Sequence, residues 1–353
     1  MTRFHIFLAA WGLSLALAVF YIVWGSVNDV AQRVIARRRR RVLEVLSVVL
    51  FESDDDAARV HEQAMQMPRR ELLAVVQSLA VDLNGQARDR LQHLVRALGL
   101  ERFIRRRAKS RRWRLRVQAA QLQYLVDHPD FDHRRLLADR HHVVRARAAE
   151  SLTAAQAAEH VDLLVQLLRD DSVAVRLAVQ QKLLDVGSRA VPVLLDELEG
   201  SGHVLEVLEV AANLADPRLV EALVGHTRSD DPEVRATAAR ALGSGSGPGA
   251  ASVLDELCTD DDPEVRVAAI DGLSRMESQA SVATIGRALG DRSWLVRRAA
   301  GLALDRLGAP GRLILRGHLH ASDPFARDMA RQVLDAIAAR EGVTLIPPVE
   351  DPM

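Results

Sequence analysis

Cysteine is nearly absent from this chain of 353 residues, which contains only Cys258. A single cysteine forms no intramolecular disulfide and no cysteine-based zinc cluster, so neither can hold the fold together. Aromatic residues make up 4% of the chain although 48% of it is hydrophobic, so aliphatic and small side chains must fill the core. Because Cys258 lies in an apolar segment of helical pattern, we interpret it as a buried core thiol.

Motifs of catalysis are lacking too. The chain has no phosphate loop, no nucleophile motif and no dinucleotide fingerprint. The segment "GSGSGPG", Gly243–Gly249, is rich in glycine but has no lysine and follows no strand, so we interpret it as an exposed linker. His318 and His320 stand two residues apart and diverge on a helix, whereas a metal site needs three or four converging ligands. We therefore predict no enzyme activity, no cofactor and no metal.

Charge is balanced overall but unevenly distributed. The segment Met1–Ala120 has 22 basic and 11 acidic residues, whereas Gln121–Met353 has 25 basic and 36 acidic residues. Of the 47 basic residues only Lys109 and Lys182 are lysines. This asymmetry indicates a basic surface in the N-terminal part of the chain.

What the chain does contain is a repeated phrase. "DDPEVRATAARAL" begins at Asp230, and "DDPEVRVAAIDGL" begins 31 residues later at Asp261. In the first copy Val234, Ala238 and Leu242 follow one another at steps of four, which places them on one face of a helix. An aspartate that caps the helix and a proline at its first position precede this stripe. The phrase therefore predicts a helix that buries a narrow, alanine-rich face.

The same register runs along two thirds of the chain. Taking the arginine of the phrase as a reference, the equivalent positions are Arg116, Arg145, Arg176, Arg235, Arg266, Arg297 and Arg327, with Val207 where one more arginine is due. A second apolar segment of helical pattern lies between successive phrases. One such helix pair cannot bury its apolar faces alone, but stacked pairs can. The sequence therefore predicts an all-α fold, an α-solenoid of stacked helix pairs.

The pattern Asp-Pro-Glu-Val-Arg-x-x-Ala-x-x-x-Leu at about 30 residues resembles HEAT repeats of the short bacterial type, which also occur in phycobilin-lyase-like proteins. The resemblance covers 110–340. It implies a structural ladder in which arginines pair with acids near the caps of adjacent units, formed here by Arg145, Arg176, Arg235, Arg266, Arg297, Arg327, Asp231, Asp262 and Asp323. It also suggests one functional alternative, an enzyme or enzyme subunit of the phycobilin-lyase type.

The N-terminus has a long apolar run. The 22 residues Phe4–Gly25 span about 33 Å as a helix, enough to cross a bilayer. A cleaved signal peptide is the competing interpretation, but its apolar region is usually shorter. The run Arg37–Arg41 follows, so the positive-inside rule places the N-terminus outside and the repeats in the cytoplasm. We therefore predict a protein that passes once through the inner membrane.

Between anchor and repeats the chain remains helical in pattern and ends in the basic stretch Arg102–Arg116. A solvated helix face and contact with anionic lipid are equally favoured interpretations of this stretch, and nucleic acid binding ranks below both. The candidate lipid contacts are Arg105, Arg106, Arg107, Arg111 and Arg112. We divide the chain into an anchor (1–27), a basic juxtamembrane segment (28–41), a helical capping region (42–109), the solenoid (110–340) and a disordered tail (341–353).

Acidic residues recur on two of the predicted second helices. Asp196 and Glu197 lie in "LLDEL", and Asp255 and Glu256 lie in "LDEL". Ordinary solvated charges are one interpretation, and a docking patch for a basic surface is the other. From the apolar N-terminal run, its basic flank, the repeat array and the lack of catalytic motifs, we predict a membrane-tethered cytoplasmic scaffold or adaptor. Its protein partner is not identified by the sequence.

Overall fold

The computed structural model describes residues 65, 67–79, 86–126, 128, 131–200, 204–245, 249–277 and 279–341. The predicted anchor, the basic juxtamembrane segment, the first part of the capping region and nearly all of the tail lie outside these residues. Every regular element within them is a helix, which confirms the all-α class. None of the helices in this described part is long and apolar enough to cross a membrane.

The chain divides into two compact units, Met1–Leu136 and Leu137–Met353. This division falls 27 residues beyond the boundary that we placed between capping region and repeats. The described helices of the first unit are α1 (Arg69–Leu79), α2 (Gln86–Ala97), α3 (Leu100–Ala108) and α4 (Trp113–Leu122), and α5 (His133–Leu137) straddles the division. Within this unit α3 packs on both α2 and α4, and α1 contacts α4.

The second unit consists of helix pairs. Its helices are α6 (His142–Ser151), α7 (Ala154–Ala158), α8 (Val161–Leu167), α9 (Val173–Val186), α10 (Val191–Glu199), α11 (Val204–Leu214), α12 (Val220–His226), α13 (Pro232–Leu242), α14 (Ala250–Leu257), α15 (Pro263–Arg275), α16 (Val282–Arg287), α17 (Trp294–Arg306), α18 (Ala309–His318) and α19 (Pro324–Glu341). We call α6, α9, α11, α13, α15, α17 and α19 the first helices of the repeats. The second helices are α8, α10, α12, α14, α16 and α18.

First helices pack against first helices in sequence order, from α6 to α19, and each second helix packs against the first helix that follows it. Contacts therefore join neighbouring pairs, which is the arrangement of an α-solenoid.

The repeated phrase begins its helices as predicted. The carboxylates of Asp231, Asp262 and Asp323 accept hydrogen bonds from the backbone N–H two residues later, at 2.9, 2.8 and 3.0 Å. A proline follows each of these aspartates at the first helical position, where no N–H is needed. His141 caps α6 in the same way, because its Nδ1 accepts a hydrogen bond from the N–H of Val143 at 3.3 Å.

The predicted stripe forms the core of the second unit. Val265, Ala269 and Leu273 of α15 are fully buried, as are the equivalent residues Val296, Ala300 and Leu304 of α17. The helices approach each other closely where both lack a side chain. A Cβ atom on Gly243, at the end of α13, would lie 2.2 Å from the Cα of Gly272 in α15.

That contact corrects our interpretation of Gly243–Gly249 as an exposed linker. Gly243 and Gly245 are buried against neighbouring helices, and residues 246–248 lie outside the described part. Glycine is needed at 243 because a neighbouring backbone occupies the place of a side chain.

Candidate functional site

The repeat arginines form a ladder between consecutive loops. Arg235 donates from Nε and Nη2 to both carboxylate oxygens of Asp260, each at 2.9 Å. Arg266 makes the same paired contact with Asp291 at 2.8 Å, and Arg145 with Asp170 at 2.6 and 2.7 Å. In each pair the aspartate lies 25 residues after the arginine. The ladder therefore fixes the spacing of one repeat relative to the next.

The remaining nitrogen of each arginine binds its own loop. Nη1 donates to the carbonyl oxygen six residues earlier at 2.7–2.9 Å in Arg145, Arg176, Arg235, Arg266, Arg297 and Arg327. Each of these side chains thus closes the turn before its own helix, and three of them also bind the next repeat.

The acids of the ladder are not the ones that we assigned. Asp231, Asp262 and Asp323 cap helices, whereas the ladder carboxylates lie two positions further upstream. A signal for them was present in the sequence, since an aspartate stands six residues before the reference arginine at Asp139, Asp170, Asp260 and Asp291. Arg297 lacks such a partner because Ala321 occupies the corresponding position, and its guanidinium instead lies 4.7 Å from the centre of the Phe325 ring.

Hydrogen bonds determine the electrostatics of the ladder carboxylates. Desolvation alone would raise the pKa of Asp170, Asp260 and Asp291, but hydrogen bonds outweigh it. Each carboxylate accepts from its arginine and from the backbone N–H two residues later, so its pKa is held below the usual range. These three carboxylates are therefore structural anions and not proton donors near neutral pH.

The four acidic residues of the second helices do not form one open patch. Asp196 and Glu256 are exposed. Glu197 is half-buried and forms an ion pair with Arg169. Asp255 is also half-buried, accepts a hydrogen bond from the Ser281 hydroxyl at 3.1 Å, and has its other carboxylate oxygen buried. Two of the four predicted docking residues are therefore engaged inside the unit.

The predicted lipid-contact arginines divide in the same way. Arg106, Arg111 and Arg112 are exposed. Arg107 is half-buried, donates to the Gln118 side chain at 2.6 Å and lies over the ring of Phe103, four residues before it in α3. Arg105 is half-buried and lies 3.2 Å from Nδ1 of His128. Only three of the five side chains are thus presented to an external anion.

The sequence did not lead us to expect a groove that lies between first helices. It has a volume of about 550 Å³ and runs between α15 and α17, with Arg240 of α13 at its edge. Ala268 and Ala299 are buried on its floor, and Leu295 and Leu302 are 51% and 47% exposed on one wall. We call this feature the first-helix groove.

A second groove of about 440 Å³ lies between α9, α11 and α13 and shares Arg240 and Arg275 with the first. Leu177, which is 60% exposed, lines it together with several amide side chains. In the first-helix groove the lining positions recur from repeat to repeat, two residues before and one, two, five and nine residues after the reference position, so the repeat register could have predicted this surface.

Two candidates remain, the thiol of Cys258 and a cluster of metal ligands. Cys258 is buried, and desolvation, helped by the charge of Asp255, raises the pKa of its thiol to about 12. The interpretation of a buried core thiol is thus confirmed. Among the described residues no group of three or more His, Cys, Asp or Glu side chains could hold a metal ion.

These repeats can be compared with known families. The family model for HEAT repeats matches residues 202–266 and 254–335. This confirms the HEAT resemblance for that stretch, which contains the two copies of the phrase. No match was found among curated proteins.

Solved structures with similar helical folds include human deoxyhypusine hydroxylase in complex with glycerol, which is 18% identical over 87% of this chain and 98% of that chain, with a TM-score of 0.29. The complex of CpcE and CpcF of phycocyanin lyase from Nostoc sp. PCC7120 is 20% identical, covering 67% of this chain and 94% of that chain, with a TM-score of 0.32. Kap121p bound to Pho4p is 11% identical over 85% of this chain and 46% of that chain, with a TM-score of 0.39.

Proposed function

We propose that the protein is a scaffold or adaptor that binds partner proteins through its HEAT repeats and is tethered to a membrane by its N-terminal segment. The observation that carries the binding role is the first-helix groove. Contiguous exposed apolar surface marks protein-binding sites, whereas apolar residues scattered singly do not, and here Leu295 and Leu302 line one groove. The arginine ladder supports the same role, because it holds neighbouring helices at a fixed spacing.

The groove changes the surface on which we expect docking. On the acidic second helices, Glu197 and Asp255 are already engaged with Arg169 and Ser281. The first-helix groove, in contrast, combines apolar walls with several exposed arginines. Interfaces draw affinity from a few buried apolar or arginine anchors, so the groove supports a docking site better than the acidic residues do.

Site-specific photo-crosslinking in native membranes tests this choice. A crosslinking amino acid is placed at Leu302 in the groove or, as a matched exposed control, at Glu256 on the second helix α14. We expect a discrete protein adduct from position 302 and none from position 256. Adducts from position 256 alone would assign docking to the acidic second helices. The absence of adducts from both positions would contradict the scaffold role.

The tether rests on sequence alone, on the apolar run Phe4–Gly25 and the following Arg37–Arg41. We propose that the anchor is retained and that the repeats face the cytoplasm. A reporter that is active only in the cytoplasm should be active when it is fused after Met353. Activity of a periplasmic reporter at the same point, with silence of the cytoplasmic one, would reverse the orientation.

The phycobilin-lyase-like alternative has its own test. A pigment-handling enzyme incubated with a bilin should acquire the visible absorption of a bound tetrapyrrole, whereas a scaffold should pass through gel filtration without it.

A further inference from the structure

We infer that the first-helix groove receives a peptide segment of a partner protein that carries aliphatic side chains flanked by Asp or Glu. This inference rests on the proposed scaffold function and specifies the chemistry of the partner. It follows from two features of the groove, its apolar walls and its arginines.

The apolar features define a slot for an aliphatic side chain. Leu295 and Leu302 leave about half of their surface in water, while the small side chains of Ala268 and Ala299 line the floor. Alanine on the floor leaves room for a branched side chain between α15 and α17. Filling the slot removes both leucines from water, which is favourable at about 25 cal/mol per Å² of apolar area.

The arginines define the charge of the ligand. Arg240, Arg275 and Arg298 are exposed, and none of them forms an ion pair with a carboxylate in the described part of the chain. Arg240 donates to the Thr237 hydroxyl at 2.7 Å, Arg275 has one long contact of 3.4 Å with the carbonyl of Asp271, and Arg298 lies over Trp294 at 5.6 Å. Each guanidinium therefore keeps donors for an incoming carboxylate.

Two carboxylates also line the groove, and they do not cancel this charge. Asp271 is bound by Arg306 at 2.6 Å, so that pair is already matched within the groove. Glu264 near the start of α15 remains as a single negative charge against three arginines. The groove is thus a basic patch in a segment, 121–353, where acidic residues outnumber basic ones by 36 to 25. A lysine-rich ligand would be repelled, and an acidic one is attracted.

A selection without bias toward any charge tests the inference. Full-length protein in detergent micelles is immobilised and panned against a displayed library of random peptides of about 12 residues, which reach about 40 Å when extended. We expect enriched peptides to combine Leu, Ile or Val with an excess of Asp and Glu. Enrichment of Lys and Arg, or no enrichment over empty micelles, would overturn the inference.

Variants then locate the binding. Replacing Arg240, Arg275 and Arg298 with Gln should weaken the selected peptides about tenfold or more, and Leu302→Ser should weaken them as well. The control carries the same charge change at Arg228, Arg287 and Arg316, which are exposed outside the groove, and should leave affinity within about twofold. Equal loss in both triple variants would mean a long-range charge effect and would contradict a groove site.

The chain's own tail is the rival occupant, since Leu345, Ile346 and Glu350 have the same chemistry. If library peptides bound only after removal of residues 342–353, the groove would be an internal docking site and the inference of a partner would fail. The sequence of the partner segment that is crosslinked at Leu302 distinguishes a failure of this inference from a failure of the proposed function. A partner segment without acidic residues would preserve the scaffold and contradict the acidic ligand.

Discussion

At the scale of the residue, the reference arginine links two repeats with a single side chain. Its guanidinium binds the carbonyl of its own loop and, where the next loop supplies an aspartate, both carboxylate oxygens there. A planar guanidinium suits this task because it presents five donors in a fixed fork, which lysine lacks. The repeats that lack the aspartate show how local the rule is, since Arg297 packs against Phe325 instead.

Removing one ladder arginine should be costly. Arg266 is 4% exposed, and Arg266→Met would leave the carboxylate of Asp291 without its main partner. Breaking a buried pair from one side costs about 3 kcal/mol or more, so we expect a clear fall in the urea midpoint. Arg147→Met is the control, because Arg147 and Glu150 are 46% and 47% exposed and such pairs contribute about 0–1 kcal/mol. Equal effects of the two changes would refute a structural ladder.

Acid should weaken the same contacts. The pKa values of Asp170, Asp260 and Asp291 are lower in the folded chain than in the unfolded chain. Their stabilisation is therefore fully present above an unfolded pKa of about 4 and is lost as pH falls through the folded values.

Urea denaturation at a series of pH values from 6 to 2 measures this loss. We expect the steepest fall in stability below about pH 4. Replacement of the three aspartates with Asn should lower stability at pH 6 and flatten the dependence in acid. An unchanged slope in that variant would assign the acid sensitivity to other carboxylates.

At the scale of the element, small residues determine how closely the first helices pack. Alanine dominates their buried faces, and glycine is needed where two backbones almost touch. Gly243 and Gly272 meet in this way, so the approach of α13 to α15 depends on the absence of a Cβ at position 243. Arg240, three residues before Gly243 along α13, lines the first-helix groove.

Gly243→Ala should therefore destabilise the second unit. The new methyl group would lie 2.2 Å from a backbone carbon of Gly272, and overpacking of this kind costs about 1–3 kcal/mol. Gly225→Ala is the matched control, because a Cβ there meets nothing within 4 Å and the residue lies in α12. The control should be neutral or stabilising by up to about 1 kcal/mol, since alanine favours helices. The melting temperatures of the two variants, compared with that of the parent protein, test this prediction. A Gly243→Ala protein as stable as the parent would mean that the helices move apart at little cost.

At the scale of the whole molecule, charge is divided between a basic N-terminal part and an acidic repeat part. In a tethered protein the first would lie near the bilayer, where each exposed basic residue contributes about 1 kcal/mol of attraction to anionic lipid. The structure reduces the predicted lipid-contact arginines from five to three. Arg105 and Arg107 bind side chains within their own unit. Arg106, Arg111 and Arg112 remain exposed.

Vesicle co-sedimentation tests whether the three exposed arginines bind anionic lipid. A chain without residues 1–41 should bind vesicles containing phosphatidylserine, and binding should weaken with salt because exposed charges are screened. Changing Arg106, Arg111 and Arg112 to Gln should lower the affinity about 100-fold. Changing Arg105 and Arg107 should instead destabilise the first unit. Binding to neutral vesicles with equal affinity would leave only a solvated helix face.

The sequence by itself determined the helices, their starts and their buried faces. These features depend on neighbours within four residues along the chain, where caps, prolines and apolar spacing act directly. The pairing of α13 with α15 through a stripe of Val, Ala and Leu could therefore be predicted from two copies of one phrase.

Only the tertiary structure decided which charges are free. The sequence placed acids at Asp196, Glu197, Asp255 and Glu256 alike, but Arg169 and Ser281, which engage two of them, lie 28 and 26 residues away along the chain. The ladder aspartates and the groove positions recur in the repeat register, but which arginine reaches which aspartate was visible only once neighbouring repeats were stacked. Local spacing fixes which face of a helix is apolar, whereas the partner of a charge is fixed only when stacking brings distant loops within hydrogen-bond distance.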